Sequence, residues 1–383
     1  HPRQQKDLAF YLNEFSLERD TMVNNYVQYT DHSTYNVSLA DPQFSYRTKD
    51  SMFKLRLRPI LGGNITASKK GAIFHRWYGA ELQIDIANHL SIWGSLRDNS
   101  WSGNWLSKKY FPTPEARRIA ASIHYGGGYD SSNDTYYLTQ PALTPRAGVQ
   151  YKEANYGGDF SDSKGGISLY TWWGSIGIQR ENIRWGDAYH ASNILSGRNP
   201  AVPMITLQLT PCRWFQLDYF HAWLVSNVMD STSFYLENTT KEGVLAKNYR
   251  PYNKFMAANM FTFTPLKQLS FSFGNSIIYA ENTIQAAYLI PIAFYKSLDH
   301  LLTKGIASQN QNSQLFGSIS IRPVDHLHVY ASVYVDEFKL SRLKPTNAEH
   351  NPVSYLVGFN WSGWPVKGLS LKGEFTRTNV ACY

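Results

Sequence analysis

The sequence predicts an all-β protein, a large antiparallel transmembrane β-barrel. Three observations predict it: strands in which apolar and polar residues alternate, short turns and long loops that alternate between those strands, and a 15% aromatic content beside only 17% charged residues. Alternation gives each strand one apolar and one polar face, and aromatic residues gather where a barrel wall meets lipid headgroups. We expect about 16–18 strands, long extracellular loops and a short, partly helical N-terminal segment.

The chain is predicted to form one large domain, because its 383 residues contain no shift in composition and no Gly/Ser linker. Residues 1–52 lack alternation, and apolar residues at helical spacing within residues 4–24 indicate a periplasmic helix or a plug segment. A poorly ordered terminal arm is the alternative. The barrel is expected over residues 53–383. No signal peptide is visible, which fits a mature exported chain or a chain that starts at an internal residue.

The net charge and the hydropathy of the chain limit which binding partners and which kinds of membrane span are expected. The net charge of +8 and the pI near 9.2 favour anionic partners such as lipopolysaccharide phosphates or acidic glycans. Lys and Arg are scattered rather than clustered, which argues against nucleic acid. A mean hydropathy of −0.38 and short apolar runs argue against helical membrane spans. Cys212 and Cys382 lie far apart in sequence and imply no disulfide framework.

The first strands are visible directly in the residue pattern. Alternation begins at Phe53, continues after Gly71 to Ile86, and resumes over residues 90–96 after a short turn at 87–89. Residues 97–135 are predicted to form a long loop, with one short element at 119–125.

Later strands follow a repeated plan of proline turns and long loops. Tight turns are predicted at residues 144–145, 210–211, 264–265, 322–323 and 364–365, since Pro lacks a ladder donor and presets φ for a turn. Long loops are predicted near residues 227–252, 281–313 and 338–351. Because bacterial barrels place short turns in the periplasm and long loops outside, the loop of residues 184–203 is expected outside the cell.

The strand count has a consequence for the chain end. We count about fifteen strands, whereas bacterial single-chain barrels have an even number. Either one strand escapes the count or the chain continues beyond Tyr383, and we favour the second.

One loop carries a family resemblance. Its residues are RWGDAYH at 184–190, SNILS at 192–196 and RNP at 198–200. Together with segments at 259–265, 289–295, 299–300, 312–314 and 335–337, this loop resembles the Wzi-type capsule assembly outer-membrane proteins, particularly their Bacteroidetes relatives. Asp187 stands where the family commonly has Gly. The resemblance covers residues 53–383.

The resemblance implies a monomeric barrel of the bacterial outer membrane that holds acidic capsular polysaccharide at the cell surface, in contact with the lipid bilayer and lipopolysaccharide. The expected protein is not an enzyme and uses no cofactor. Two alternatives remain: a transport channel, and a structural subunit that binds other outer-membrane proteins in secretion, gliding or glycan uptake.

Two loops supply the candidate polysaccharide-binding residues. Sugar sites combine aromatic faces with hydrogen-bonding groups, and these residues provide them: Arg184, Trp185, Asp187, Tyr189, His190 and Arg198 in one loop, and Trp101 and Trp105 in the other. The alternative is structural: Arg184 and Asp187 pair to hold the loop inward as a plug with Trp185 packed beneath, and the second loop forms part of an aromatic girdle with solvated charges.

Other charged residues point to structural roles. Inward-facing charges of both signs are expected at Glu81, Asp85, Asp218, Arg322, Lys372 and Glu374. They either select solutes in an open pore or form ion pairs across a filled lumen. His326 and His328 have the spacing of a metal pair but lack a third ligand nearby, and no G-x-S-x-G elbow or phosphate-binding loop is present.

Overall fold

The computed structural model describes residues 34–38, 43–69, 71–102, 128–130, 135–137, 150–154, 157–190, 192–197, 201–224, 229–238, 245–281, 283–302, 311–338, 342, 351–363, 366, 369–379 and 382. Its strands are β1 (Thr34–Ser38), β2 (Gln43–Arg47), β3 (Phe53–Ser68), β4 (Gly71–Ile86), β5 (Leu90–Ser102), β6 (Gly128–Asp130), β7 (Thr135–Tyr137), β8 (Gln150–Ala154), β9 (Gly157–Thr171), β10 (Gly174–Glu181), β11 (Arg184–Trp185), β12 (Leu195–Ser196), β13 (Val202–Cys212), β14 (Phe215–Leu224), β15 (Met229–Asn238), β16 (Leu245–Pro251), β17 (Lys254–Leu266), β18 (Leu269–Ala280), β19 (Gln311–Val324), β20 (Leu327–Asp336), β21 (Val353–Ser362) and β22 (Ser370–Thr378).

Two helices lie in the connection between β18 and β19. A 3-10 helix at Ala286–Leu289 and the α-helix α1 (Tyr295–Leu302) lie between β18 and β19. None of the helices among the described residues is long and apolar enough to cross a membrane.

One antiparallel sheet organises the described part of the chain. Sixteen strands join it, and its order is β1-β2-β3-β4-β5-β9-β10-β13-β14-β17-β18-β19-β20-β21-β22, with β8 paired to β9. Each strand therefore pairs with strands close to it in sequence, as in an up-and-down barrel wall. The pairs β6–β7, β11–β12 and β15–β16 form small separate ribbons. The predicted fold class, a large antiparallel transmembrane β-barrel, is confirmed.

The two faces of the sheet have the polarity of a membrane barrel. In β21 the buried face carries Ser354, Asn360 and Ser362, whereas Val357 and Trp361 lie on the exposed face. A soluble sheet buries its apolar face, but here the apolar face is the exposed one. This arrangement suits a wall whose outer surface contacts hydrocarbon and whose inner surface faces a polar lumen.

Proline positions differ from the sequence prediction. Pro211 lies inside β13, and the turn follows at residues 213–214. The pairing register shifts between Leu209 and Cys212, so Pro211 sits in a bulge. Similar shifts occur around Pro265 in β17 and Pro323 in β19, with turns at 267–268 and 325–326. The turns predicted at residues 210–211, 264–265 and 322–323 are therefore wrong in position. Because proline has no amide hydrogen, it interrupts the hydrogen-bond ladder shortly before the chain reverses.

The sheet also begins earlier than predicted. β1 and β2 pair in sequence onto β3, so strands of the wall precede the predicted boundary at Phe53. β5 continues to Ser102, into the predicted loop of residues 97–135. The predicted helix within residues 4–24, the element at 119–125 and the turns at 144–145 and 364–365 lie outside the described residues.

Candidate functional site

The connection between β10 and β13, here called the lumenal loop (residues 182–201), folds as a hairpin. Its two arms are β11 and β12, which pair Arg184 with Ser196 and Trp185 with Leu195. Gly197 closes the hairpin with a φ of 70°, and its amide donates to the carbonyl of Ile183 at 2.9 Å. A side chain at Gly197 would be strained at this φ. The Arg184 guanidinium donates to the carbonyl of Ala188, which holds the tip of the hairpin.

Trp185 packs against the inner face of the wall. Its ring lies edge-on to Phe220 of β14 at 5.0 Å and to Phe316 of β19 at 5.9 Å between centroids. Ile194 and Met260 belong to the same buried cluster. Trp185 is thus part of an apolar core inside the barrel, in line with the structural alternative for this residue.

Polar contacts fix the lumenal loop to strands far along the sheet. The Asn193 side-chain amide donates to the carbonyl of Ser354 at 3.0 Å, and its oxygen accepts from the Ser332 hydroxyl at 2.5 Å. The Glu374 carboxylate accepts from the backbone amides of Tyr189 and His190. These contacts join the loop to β20, β21 and β22.

The same contacts show that the sheet curls around the loop. In strand order, β22 lies eight steps from β10, where the loop begins. At about 4.8 Å per strand, a flat sheet would separate these strands by roughly 38 Å. A short hairpin reaches both only if the wall curves back on itself. The lumenal loop therefore enters from the end of the barrel that carries the long connections and fills part of the lumen, which is the inward placement that the sequence analysis gave as an alternative to an extracellular loop.

An exposed polar group lies at the tip of the loop. Tyr189 is 55% exposed, and the Lys372 ammonium lies 4.0 Å from the centroid of its ring. The His190 ring meets the Tyr189 ring edge-on at 5.0 Å. Glu374 positions this group through the two loop amides and also accepts from the Tyr330 hydroxyl. We call Tyr189, His190, Lys372 and Glu374 the loop-tip group.

The structure separates the predicted site residues. It brings Tyr189 and His190 together with Lys372, and it places Trp185 apart from them against Phe220 and Phe316. Arg184 acts within the hairpin, and Asp187 lies at the turn between its arms. Trp101 belongs to β5, in another part of the wall, where it pairs with Gly158 of β9. Arg198 and Trp105 lie outside the described residues.

Lys372 and Glu374 entered the sequence analysis only as inward-facing charges. Strand alternation identified their face correctly, because they pair with Asn360 and Gly358 on the inner side of β21. Their contact with Tyr189 had no signal in the sequence, since 183 and 185 residues separate the partners of these contacts.

The histidine pair and the two cysteines noted in the sequence lie within the described residues. No group of three or more His, Cys, Asp or Glu side chains suits a metal ion within them. His326 and His328 form other contacts: the Nδ1 of His326 lies 2.9 Å from the Ser362 carbonyl, and the Nε2 of His328 lies 2.8 Å from the Ser320 hydroxyl. Cys212 and Cys382 are free thiols.

The fold and the loop define a transmembrane β-barrel of the outer-membrane type, with a folded loop inside its lumen. No family model matches the chain, and no curated protein matches it. Among solved structures it is similar to the NanC porin, with 8% identity, a TM-score of 0.23, and coverage of 81% of this chain and 94% of that chain. It is also similar to the CymD monoaromatic hydrocarbon channel, with 9% identity, a TM-score of 0.26, and coverage of 90% and 81%. OccK11 (OpdR) of Pseudomonas aeruginosa shares 11% identity at a TM-score of 0.26, with coverage of 91% and 88%. With scores this low, the fold assignment depends on the strand pattern itself.

Proposed function

We propose that this chain is an integral, non-enzymatic barrel of the bacterial outer membrane that binds an acidic surface polysaccharide. The observation that carries the proposal is the exposed ring of Tyr189, which the anchored lumenal loop holds beside the Lys372 ammonium. The resemblance of residues 184–200 to the Wzi-type capsule assembly proteins supports it. The site proposed is the loop-tip group rather than Trp185.

The chemistry of the loop-tip group suits an acidic sugar. An exposed tyrosine offers an aromatic surface and a hydroxyl to a sugar ring. An ammonium beside it can pair with a uronic acid carboxylate, and such charge-assisted hydrogen bonds are stronger than neutral ones. Glu374 already accepts from three donors, so its charge is engaged in positioning the loop.

The test compares charge removal at the site with matched charge removal elsewhere. Purified barrel in mild detergent is titrated with polygalacturonate, an acidic polymer, and with dextran, a neutral one. Lys372→Gln is expected to weaken polygalacturonate binding about tenfold, since one charge-assisted contact contributes roughly 1.5 kcal/mol. The control is Lys267→Gln, which removes an exposed lysine from the short turn between β17 and β18, outside the lumenal loop and its contacts.

Equal binding of polygalacturonate and dextran by the unaltered protein would contradict the proposal. Equal loss in the Lys372→Gln and Lys267→Gln variants would show that net charge, rather than the loop-tip group, attracts the polymer. Tyr189→Ala adds a second check, because it removes the aromatic surface without changing any charge.

A transport channel is the second candidate, and one observation favours it. The described contacts of the lumenal loop are with β14, β17 and β19–β22, whereas inward-facing charges continue on β3 and β4. Among these, Arg56 and Glu81 are exposed. Exposed charges of both signs along a lumenal wall can select ions in an open pore.

Planar-bilayer recording separates the two candidates. A channel would conduct with the lumenal loop in place, and Arg56→Glu would shift its reversal potential toward cation preference. A barrel without measurable conductance in which Arg56→Glu has no effect would leave polysaccharide binding as the proposed function.

A further inference from the structure

Three neighbouring strands are buried on both faces, which a barrel wall between lipid and lumen does not require. Runs of four consecutive buried residues occur at 219–222 in β14, 257–260 in β17 and 274–277 in β18. Successive side chains of a strand point to opposite faces, so such a run means that both faces are covered. The lumenal loop covers the inner face, and a second element must cover the outer face.

The outer face is the one that carries Phe271 and Phe273 of β18, which are 39% and 51% exposed. Asn275, Ile277 and Tyr279 follow on the same face by alternation, yet they are buried. Their neighbours on β17 and β14 share this side by the pairing register. The outer surface near the short turns is therefore exposed, and the outer surface near the long connections is covered by protein.

Residues 284–302, here called the outer segment, provide the cover. Tyr288 of the 3-10 helix and Tyr295 of α1 join one buried cluster with Tyr219, Phe255 and Tyr279 of the wall. The rings of Tyr279 and Tyr288 lie 4.8 Å apart between centroids. The segment thus leaves the barrel end after β18 and folds back along the outside of β14, β17 and β18.

Polar side chains of the outer wall bind the backbone of the outer segment. The Asn259 amide donates to the carbonyls of Pro291 at 2.9 Å and Ala293 at 2.8 Å. Asn275 donates to the same Ala293 carbonyl at 3.2 Å and accepts from the Tyr295 amide at 2.8 Å.

Two tyrosines of the wall continue this pattern. The Tyr219 hydroxyl donates to the Tyr288 carbonyl at 3.0 Å, and the Tyr279 hydroxyl accepts from the Gln285 amide at 3.2 Å. Within the segment, the amides of Tyr288 and Ala293 donate to nearby carbonyls. Irregular backbone survives at membrane depth only where protein groups satisfy its polar atoms, and the outer segment meets that condition.

The position of these contacts along the strand places them within the membrane. Asn275 follows Leu269, near the short-turn end, by six residues. With a rise of about 3.4 Å per residue and a tilt of about 40°, Asn275 lies roughly 16 Å above Leu269, inside an apolar band about 25 Å tall. Two asparagines at this depth on a lipid-facing wall would be costly without the backbone groups that they bind.

The surface that the outer segment turns away from the wall is apolar over residues 289–294, whereas on α1 it also includes Ser297 and His300. Its exposed residues include Leu289, Ile290, Ile292, Phe294 and Leu301, of which Ile292 is 67% and Leu301 is 72% exposed. This surface continues the apolar outer face of the neighbouring strands. Lys296 on α1 is turned to the protein, where its ammonium donates to the carbonyl of Phe338.

We propose that the outer segment lies in the bilayer, with residues 289–294 against the hydrocarbon of the outer leaflet, and that the covered asparagines Asn259 and Asn275 hold it there. The occupant of its exposed face is lipid acyl chain. In water, five large apolar side chains of the segment would remain exposed to solvent, at a cost in free energy. In lipid this cost disappears, and the barrel wall supplies hydrogen-bond partners for the polar backbone of the segment. The proposal is independent of polysaccharide binding and of transport.

Depth-dependent quenching tests the proposal. In a background with Cys212→Ser and Cys382→Ser, Ile292→Cys is labelled with bimane and reconstituted into phosphatidylcholine vesicles with or without nitroxide-labelled phosphatidylcholine. Phe273→Cys on the open outer wall is the lipid-facing reference, and Tyr235→Cys on the β15–β16 ribbon is the reference outside the wall. Quenching at position 292 is expected to match that at 273 and to exceed that at 235 by about threefold or more, as for a site at hydrocarbon depth.

Quenching at position 292 no greater than at 235 would overturn the proposal. A photo-crosslinker attached to the thiol of the Ile292→Cys variant in native outer membranes shows whether lipid or protein contacts this face. Adducts with lipid support the proposal. A stoichiometric adduct with a second protein would overturn it in favour of a subunit interface. Folding is checked separately: all three labelled barrels must show the same heat-modifiable electrophoretic migration as the unlabelled protein.

Discussion

Trp185→Ala removes the largest apolar contact between the lumenal loop and the barrel wall. The ring of Trp185 packs edge-on against Phe220 and Phe316, beside Ile194 and Met260. Truncation to alanine would leave a gap that the β-sheet on either side is too rigid to close. We therefore expect the loop to dissociate from the wall more often, while the strands keep their pairing.

The magnitude follows from the burial of the ring. Truncation of a fully buried Trp or Phe costs about 3–5 kcal/mol. Trp185 is only half-buried, so we expect the lower end, about 3 kcal/mol, which is roughly a 100-fold change in the docking equilibrium of the loop. The polar anchors at Asn193 and Glu374 are unchanged by this substitution.

Hydrogen exchange measures this change directly. In the closed loop, the amides of Tyr189 and His190 donate to the Glu374 carboxylate of the wall, so we expect them to be protected from exchange. In Trp185→Ala their protection is expected to fall about 100-fold, because opening becomes more frequent by that factor. Trp172→Ala is the control, since Trp172 is 87% exposed in a turn at the other end of the barrel.

Unchanged protection in Trp185→Ala would refute the reasoning, because the aromatic contacts would then contribute nothing to docking. A uniform loss of protection over β14 and β19 would also refute it, because the loop and the wall would then unfold as one unit. Only a loss confined to the loop agrees with a plug that docks on an independently stable wall.

Three further substitutions test separate contacts. Glu374→Gln replaces a charged acceptor of three hydrogen bonds by a neutral one, so the protection of the loop-tip amides from hydrogen exchange is expected to fall about tenfold. Protection equal to that of the wild type would argue that the carboxylate charge has no part in anchoring the loop. Gly79→Ala would place a Cβ 1.9 Å from a carbonyl oxygen of β5, so the folding yield should fall sharply. In the control Gly94→Ala the nearest atom lies 3.8 Å from the new Cβ, and this variant should fold normally. Equal yields would contradict the close approach of β5 to Gly79. Ser276→Ala removes the 2.6 Å hydrogen bond to the Gln314 oxygen and should lower the free energy of unfolding in urea by about 1–2 kcal/mol, and a change near zero would indicate that the Gln314 oxygen finds another donor.

Strand alternation alone predicted most of the fold. The polar and apolar faces of β21 follow the residue order, and the inward position of Glu81, Lys372 and Glu374 follows from the same period of two. The long connections also appeared where Gly, Asn and Ser interrupt the alternation. This information is local, because each side chain's face depends only on its place along its own strand.

The exact turns were less predictable. Proline marked the region of the three described turns after β13, β17 and β19, but Pro211 occupies a bulge within β13, and the chain reverses two residues later. Both placements avoid the missing amide hydrogen of proline, so the residue type alone cannot distinguish a turn from a bulge beside it.

The sequence by itself determined the wall of this protein, its two faces and the segments that leave it. Tertiary structure alone decided where those segments go. The lumenal loop folds inward because Ser332, Ser354 and Glu374, on strands more than a hundred residues away, bind its Asn193 side chain and its amides. The outer segment folds back outside because Asn259 and Asn275 bind its carbonyl groups. An asparagine on an outward face reads as a misplaced polar residue until its partner is known. Alternation repeats every two residues, so a short stretch of sequence is enough to detect it. These contacts join residues that are distant in sequence and form only after the sheet has curled.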